Sequence, residues 1–246
     1  MKTIRKRLIA LSLIAGLLLF PGCTENAEEK APSNYAQLHS LLGKSTDDVC
    51  QALGIDKAQV DLAIAGKAVP PSLGEAQYAG LTWEAVPYFG YDGYFYGFYY
   101  IVHYTENPDQ AAPDFMNVIA ALAEDYGQPE HSNDTIFFDR ELNAKNLLET
   151  VWSRKSCSVE QYWNLDHEIT PAIREYEKQA LALLRPPSTE ASWATVGLKY
   201  DLYVIYRGGL NASSITLEYR LRDRYEYIGP SREERLEAQS KNQEGN

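Results

Sequence analysis

Positive charge is scarce in this chain. Its 246 residues include 23 lysines and arginines against 34 aspartates and glutamates, which gives a formal net charge of -11. Residues 1–22 contain no acid and hold four of the positive charges, on Lys2, Arg5, Lys6 and Arg7. The rest of the chain therefore carries 19 positive and 34 negative charges, a balance of -15. Because nucleic-acid binding needs a basic surface, this composition excludes a general nucleic-acid-binding protein.

The short motifs of common catalytic and metal sites are also missing. The sequence has no Gly-x-Ser-x-Gly nucleophile elbow, no His-Glu-x-x-His pair and no Cys-x-x-Cys pair, and its four histidines are scattered. His167 and Glu168 have the chemistry of an acid–base pair, although such a pair before a helix is more often part of the helix approach. We therefore predict no catalytic residue, no metal and no cofactor.

The first 34 residues resemble an export signal. The basic residues are followed by an apolar run from Leu8 to Phe20, then by Pro21, Gly22 and Cys23 and a polar stretch. This run is too short for a spanning helix but has the length of a signal peptide. The order resembles the lipobox signal of bacterial lipoproteins, although Phe20 and Pro21 depart from the usual residues. An ordinary secretory signal with a chance cysteine is the alternative.

The resemblance to lipoproteins implies acylation of Cys23, removal of residues 1–22 and anchoring to the cell membrane or the outer membrane. Two or more acyl chains make such an anchor stable. The predicted organisation is a signal peptide (1–22), a flexible tether (23–34), one domain (35–230) and a polar tail (231–246).

Export also affects the interpretation of the other two cysteines. With Cys23 acylated, Cys50 and Cys157 remain as an even pair in a compartment that can be oxidising. A bridge between them would stabilise the fold by about 4–5 kcal/mol on the chain-entropy model. Two buried free thiols are the alternative, and the sequence leaves both open.

Three segments have the capping residues and apolar spacing of helices. The first is capped by Ser45 and ends at Gly54, the second runs from Pro113 to Tyr126, and the third begins at Pro171 and ends before Pro186. Three pairs of strands are predicted between and after them: Leu81–Val86 with Tyr94–Tyr104, Thr135–Arg140 with Leu148–Ser153, and Ala194–Arg207 with Ser213–Arg222.

The last predicted strand alternates cleanly between apolar and polar residues. Ile215, Leu217, Tyr219 and Leu221 point one way, and polar residues point the other. One wet face implies an antiparallel sheet with helices packed on its other face, an α+β fold.

A short motif resembles a known family. Gly43-x-Ser45-Thr46-x-x-Val49-x-x-x-Leu53-Gly54 is similar to the helix motif of the BamE-type envelope lipoproteins and the β-lactamase-inhibitor-protein fold. The end of the second helix, from Leu122 to Pro129, looks like a diverged echo of it, which suggests two helix–strand repeats. The resemblance implies a non-catalytic binding or assembly protein and carries over no partner or binding residue.

Aromatic residues crowd the first predicted hairpin. Ten of the 17 residues from 88 to 104 are Tyr or Phe, and Trp83 lies on the strand before. Alternation places Tyr94, Tyr96, Phe98 and Tyr100 on one face and Phe95, Tyr99 and His103 on the other. The candidate recognition surface is Trp83, Tyr88, Tyr91, Tyr94 and Tyr96. The alternative is a tyrosine-rich sheet whose second face lies under a helix or loop.

Together these features predict a lipid-anchored, non-catalytic binding or assembly module of the bacterial envelope. Its partners would be the membrane, through the lipid anchor, and an envelope protein or glycan. An envelope hydrolase that acts on glycan or peptide is the alternative.

Overall fold

The computed structural model describes residues 31–90, 93–132, 141–184 and 193–227. The predicted signal peptide (1–22), Cys23 and the predicted polar tail (231–246) lie outside the described residues. Tyr91 and the predicted strand Thr135–Arg140 also lie outside the described residues. At the start of the described chain, Ser33 accepts a hydrogen bond from the Gln77 N–H and Asn34 accepts one from the Tyr100 hydroxyl.

The described chain alternates helices and strands. The α-helices are α1 (Tyr35–His39), α2 (Thr46–Leu53), α3 (Lys57–Ile64), α4 (Ala111–Tyr126), α5 (Ala144–Arg154) and α6 (Pro171–Leu184). Short 3-10 helices span Pro108–Gln110 and Asp166–Glu168. The strands are β1 (Glu75–Tyr78), β2 (Leu81–Phe89), β3 (Phe95–Tyr104), β4 (His131–Ser132), β5 (Ser156–Asn164), β6 (Trp193–Gly209) and β7 (Ser213–Tyr227).

All seven strands form one sheet in the order β1-β2-β3-β7-β6-β5-β4, and every neighbouring pair is antiparallel. The long β6–β7 hairpin lies in the middle. It joins the N-terminal strands β1 to β3 on one side to β4 and β5 on the other.

The helices pack on one face of this sheet and form a single core with it. Ile215, Leu217 and Tyr219 on β7 are fully buried and belong to the same cluster as Phe115 of α4 and Val151 of α5. The α+β fold with helices on one face of an antiparallel sheet is therefore confirmed.

The capping signals located the first helix correctly. Ser45 precedes α2, and its Oγ accepts a hydrogen bond from the Asp48 N–H at 3.2 Å. Gly54 ends the helix in the left-handed conformation at φ 66°. Helices α4 and α6 also lie where the apolar spacing placed them.

The predicted strand Leu148–Ser153 is wrong, because these residues belong to α5. Thr150, Val151 and Trp152 favour a strand by propensity, but Leu147 and Val151 are spaced by one helical turn and both enter the core. The Asn143 side chain caps the helix by accepting from the Asn146 N–H at 2.9 Å. Burial of one face therefore outweighs local propensity. Helices α1 and α3 and strands β1, β4 and β5 are not among the predicted elements.

Of the two alternatives for Cys50 and Cys157, the structure has free, buried thiols and not a bridge. Helix α2 begins where Ser45 bridges Tyr94 at the start of β3, whereas Cys157 pairs with Gly208 beside the β6–β7 turn. That turn lies at the other end of β3, whose ten residues extend about 30 Å at ~3.3 Å per residue. A bridge needs Cα atoms within about 7 Å of each other. Burial raises the pKa of both thiols.

Candidate functional site

Two neighbouring rows of side chains cross the sheet on the face opposite the helices. Strand register sets these rows, because paired residues of adjacent strands point to the same face. The first row is Tyr162, Tyr203, Glu218, Tyr99 and Val86. The second is Asn164, Asp201, Arg220, Gly97 and Tyr88. Together with Arg222, which follows Arg220 on the same face of β7, they form what we call the outer platform.

Tyr203 lies at the centre of the outer platform. The guanidinium carbons of Arg220 and Arg222 lie 4.7 and 5.6 Å from the centre of its ring. The ring of Tyr162, on β5, stacks beside it at a centroid distance of 5.8 Å. Cation–π and stacking contacts hold the Tyr203 ring in place, and its exposed fraction is only 4%.

A buried carboxylate fixes one of the two arginines. Asp201 is fully buried, and its Oδ2 accepts from Arg222 Nε at 2.6 Å and from the Tyr203 hydroxyl at 3.2 Å. Its other oxygen, Oδ1, has no hydrogen-bond partner in the part of the chain that the structure describes. The Arg222 side chain is 43% exposed, so the pair extends from the sheet to solvent.

The Tyr203 hydroxyl is held in its neutral form. Burial, followed by the neighbouring Asp201 carboxylate, raises the pKa of Tyr203 to about 12. At physiological pH this group therefore stays protonated and donates to Asp201. Arg220 is held in turn by Glu218 on the same strand, at 2.8 Å.

A glycine allows Arg220 to lie across β3. A Cβ atom at Gly97 would come within 2.8 Å of the Tyr219 carbonyl oxygen and 3.0 Å of Arg220 Cβ. Beyond Gly97, Tyr88 is 39% exposed and packs edge-on against Tyr96 at a centroid distance of 4.8 Å. Tyr88 is therefore the exposed end of the second row.

The predicted alternation of the aromatic hairpin is wrong at one point. Tyr88 pairs with Gly97 but Phe89 pairs with Phe95, so Tyr96 is an extra residue in a β-bulge. The bulge brings Phe95 to the core side, where it is fully buried and stacks on Phe98. A one-residue irregularity therefore reverses the assignment of Phe95, which strict alternation cannot anticipate.

Only part of the predicted recognition surface belongs to the outer platform. Tyr88 does, and Tyr96 packs against it. Trp83 is fully buried, and its indole N–H donates to the Tyr78 carbonyl at 3.0 Å, so it is a core residue and not a surface one. Tyr94 packs against Tyr176 of α6 at a centroid distance of 5.0 Å. Tyr91 lies outside the described residues.

Sequence reasoning missed the centre of the outer platform. The alternation of β7 places Arg220 and Arg222 on its polar face but indicates no role for them. Tyr162 lies on β5, which is not among the strands predicted from the sequence. The alternation of β7 was a usable signal, since it showed two arginines on the face without helices. Their contact with Tyr203 depends on the register of the β6–β7 hairpin, which the sequence leaves open.

A second polar cluster lies on the core side, under α1. Glu168 accepts a hydrogen bond from the Tyr35 hydroxyl, which lies 3.2 Å from the Tyr200 hydroxyl. His39 stacks on Tyr35 at a centroid distance of 5.4 Å, and its Nε2 is 4.0 Å from Glu168. Burial, opposed by Glu168, lowers the pKa of His39, and burial raises the pKa of Tyr35 and Tyr200. These groups hold α1 on the sheet.

Within the described ranges, no group of three or more His, Cys, Asp or Glu residues is arranged to hold a metal ion. Over the same ranges, no helix is long and apolar enough to cross a membrane.

Comparison with protein-family models, curated proteins and solved structures finds no match for this chain.

Proposed function

We propose that this protein is a lipid-anchored, non-catalytic binding module of the bacterial cell envelope, and that the outer platform is its binding surface. The anchor is supported by the order of basic residues, apolar run and cysteine at residues 2–23. One structural observation carries the binding surface. Tyr203 is held between two arginines and Tyr162 on the face of the sheet opposite the helices.

Rings and guanidinium groups that are held in place suit binding. Tyrosine and arginine supply large contact areas and directional donors, and both are enriched at the centres of protein interfaces. Their side chains lose little conformational freedom on binding when they are already fixed by Asp201 and Glu218. The rings of Tyr88 and Tyr162, which are less buried than Tyr203, would stack on sugar rings or on partner side chains.

The charge of the protein restricts the class of ligand. The balance after residue 22 is -15, from 19 positive and 34 negative residues, which repels polyanions over distances of about 10 Å at moderate salt. Asp201 and Glu218 also partly neutralise the two arginines. The ligand we expect is a neutral or basic glycan or protein surface and not a phosphate-rich one.

The test is a comparison of substitutions on one face. Tyr162→Ala and Arg220→Ala remove contacts to Tyr203, whereas Arg207→Ala removes an exposed arginine from the same face of β6, outside the two rows. Binding would be measured with a glycan array and by capture from envelope extract, and folding would be checked by thermal melts.

We expect the first two variants to lose binding by at least about tenfold while Arg207→Ala binds like the parent. Folded variants that all bind equally well would contradict the assignment of the surface.

The hydrolase alternative has less support. A glycosidase needs two carboxylates facing a cleft, about 5–10 Å apart. Glu168 has several convergent partners, but they include the Tyr35 and His39 side chains packed beneath α1. That arrangement favours a packing role for Glu168.

A further inference from the structure

The exposed rings of the outer platform stand at its two ends. On the β2 side, Tyr88 is 39% exposed, and Tyr99 on the neighbouring strand is partly exposed. On the β5 side, Tyr162 is partly exposed, whereas Tyr203 next to it is only 4% exposed. Strands β2 and β5 are four strand spacings apart, which is about 19 Å at ~4.8 Å per spacing. A ligand that touches both ends is therefore an extended chain and not a single small molecule.

Planar polar groups fill the space between these rings. The side chains of Arg222, Arg220 and Glu218 are 43%, 31% and 19% exposed. Each guanidinium has five N–H groups, and its contact with Asp201 or Glu218 uses only part of them. The middle of the platform therefore offers hydrogen-bond donors and a carboxylate acceptor to a ligand that lies across it.

Two features of the platform favour a neutral, hydroxyl-rich ligand over a protein. Among the residues that define the platform, Val86 is the one aliphatic side chain, and it is buried, so these residues supply no exposed aliphatic group for the dry centre of a protein interface. The two arginines are balanced by Asp201 and Glu218, so the platform itself selects no charged ligand. A pyranose ring meets both conditions, because it has an apolar face of C–H groups and a rim of hydroxyls that donate and accept.

We propose that the outer platform binds a linear, neutral glycan of at least four sugar units, with the extended geometry of cellulose or chitin, that runs across the strands. This inference rests on the proposed function, since it names the ligand of the same surface. Tyr88 and Tyr162 each stack on a sugar ring at one end, and Arg220 and Glu218 bind hydroxyls of the units between them. An extended pyranose unit is about as long as one strand spacing, ~4.8 Å, so four or more units cover the distance between the two rings.

The experiment titrates the full-length protein with oligosaccharides by calorimetry. The probes are cello-, chito- and β-linked manno-oligosaccharides of two to six units, and maltohexaose is the matched neutral glycan whose chain coils. We expect at least one of the three extended series to bind, with an affinity that rises at least about tenfold from two to four units because both ends are then engaged. Maltohexaose should bind more weakly than the extended six-unit chain by a similar factor.

Substitutions at the two ends test whether the rings produce this dependence on length. Tyr88→Ala and Tyr162→Ala should each lower the affinity for the six-unit chain to that for the two-unit chain. Tyr88→Phe and Tyr162→Phe keep the rings, and Arg207→Ala lies outside the two rows, so these three variants should bind like the parent. Thermal melts would check that every variant is folded.

The outcomes separate this inference from the proposed function. Absence of binding in all three extended series, equal affinity for two and six units, or equally tight binding of maltohexaose would overturn the glycan assignment. If envelope extract instead yields a protein whose capture depends on Tyr162 and Arg220, the proposed binding surface stands and its ligand is not a glycan. If substitutions in the platform change neither the titrations nor the capture, both proposals fail.

Discussion

Asp201 and Arg222 are paired, but only one of them is removed from water. Asp201 is fully buried, whereas the Arg222 side chain is 43% exposed. Removing the arginine leaves a buried carboxylate whose remaining hydrogen-bond donor among the described residues is the Tyr203 hydroxyl. Removing the aspartate leaves a guanidinium that water can reach.

We therefore expect Arg222→Ala to lower the free energy of unfolding by about 3–5 kcal/mol. Asp201→Ala should cost less, about 1–2 kcal/mol, because the freed arginine is rehydrated. Urea denaturation of both variants would measure the difference, with the exposed Arg207→Ala as a control that changes little. Equal losses for the two substitutions would contradict the unequal burial.

The burial of Asp201 cannot be predicted from the sequence pattern. It pairs with Arg220 and so lies on the face of β6 opposite the helices. Its burial arises because the long side chains of Arg222 and Tyr203 cover it from neighbouring positions. Contacts of this kind depend on strand register, so a pattern read along one strand cannot show them.

At the scale of elements, α5 ends in a strained conformation. The residue that caps its C-terminus, Lys155, has φ 68°, in the left-handed region that glycine adopts more readily. Gly54 occupies the equivalent place after α2, at φ 66°, with open space where a Cβ would lie.

Lys155→Gly should therefore raise the free energy of unfolding, by up to about 1 kcal/mol after the entropy cost of glycine. Gly54→Ala is the matched reverse change and should lower it by about 1 kcal/mol. Both would be measured by chemical denaturation. A loss of stability in Lys155→Gly would show that the lysine makes contacts worth more than the backbone strain.

Helix α1 should dock in a pH-dependent way. The pKa of His39 in the folded protein lies below its ordinary value of 6.5, because burial lowers it more than Glu168 raises it. The unfolded chain therefore binds a proton at His39 more readily than the folded one. The stability that neutral His39 provides is present above pH 6.5 and is lost as the pH falls.

We expect the free energy of unfolding to fall on mild acidification, and to fall less in His39→Phe, which keeps a ring between Tyr35 and Tyr200. Urea denaturation of both proteins at neutral and mildly acidic pH would measure this difference in the free energy of unfolding. His103→Ala, an exposed position on β3, should behave like the parent. Identical pH dependence in the parent and His39→Phe would contradict this role for His39.

Elements with a clear terminus were predictable, and those without one were not. The caps at Ser45 and Gly54 and the proline at 171 placed α2 and α6 correctly. Helix α5 was mistaken for a strand because its branched and aromatic residues favour extended backbone, and only its packing against the sheet decides otherwise. Five-residue α1 is too short to be recognised from periodicity, and tertiary contacts of Tyr35 and His39 hold it.

At the scale of the whole molecule, the predicted lipid anchor depends on one atom. Cys23→Ser removes the thiol that would receive the acyl chain, so we expect loss of labelling by a palmitate analogue and release from the membrane fraction. Cys50→Ser is the control, since a buried thiol takes no acyl chain and its loss should leave both readouts unchanged. The lipobox would be ruled out if the parent and the Cys23→Ser protein were equally membrane-bound and both showed only background labelling.

The strand order has a consequence for the time at which the chain folds. Strands β1 to β3 and strands β4 and β5 are not paired with each other, and the β6–β7 hairpin between them is the last described part of the chain. A chain that emerges from its N-terminus therefore holds two unjoined sheet fragments until residues beyond 193 arrive. For the exported protein that we propose, this order delays completion of the sheet until nearly the whole chain is available.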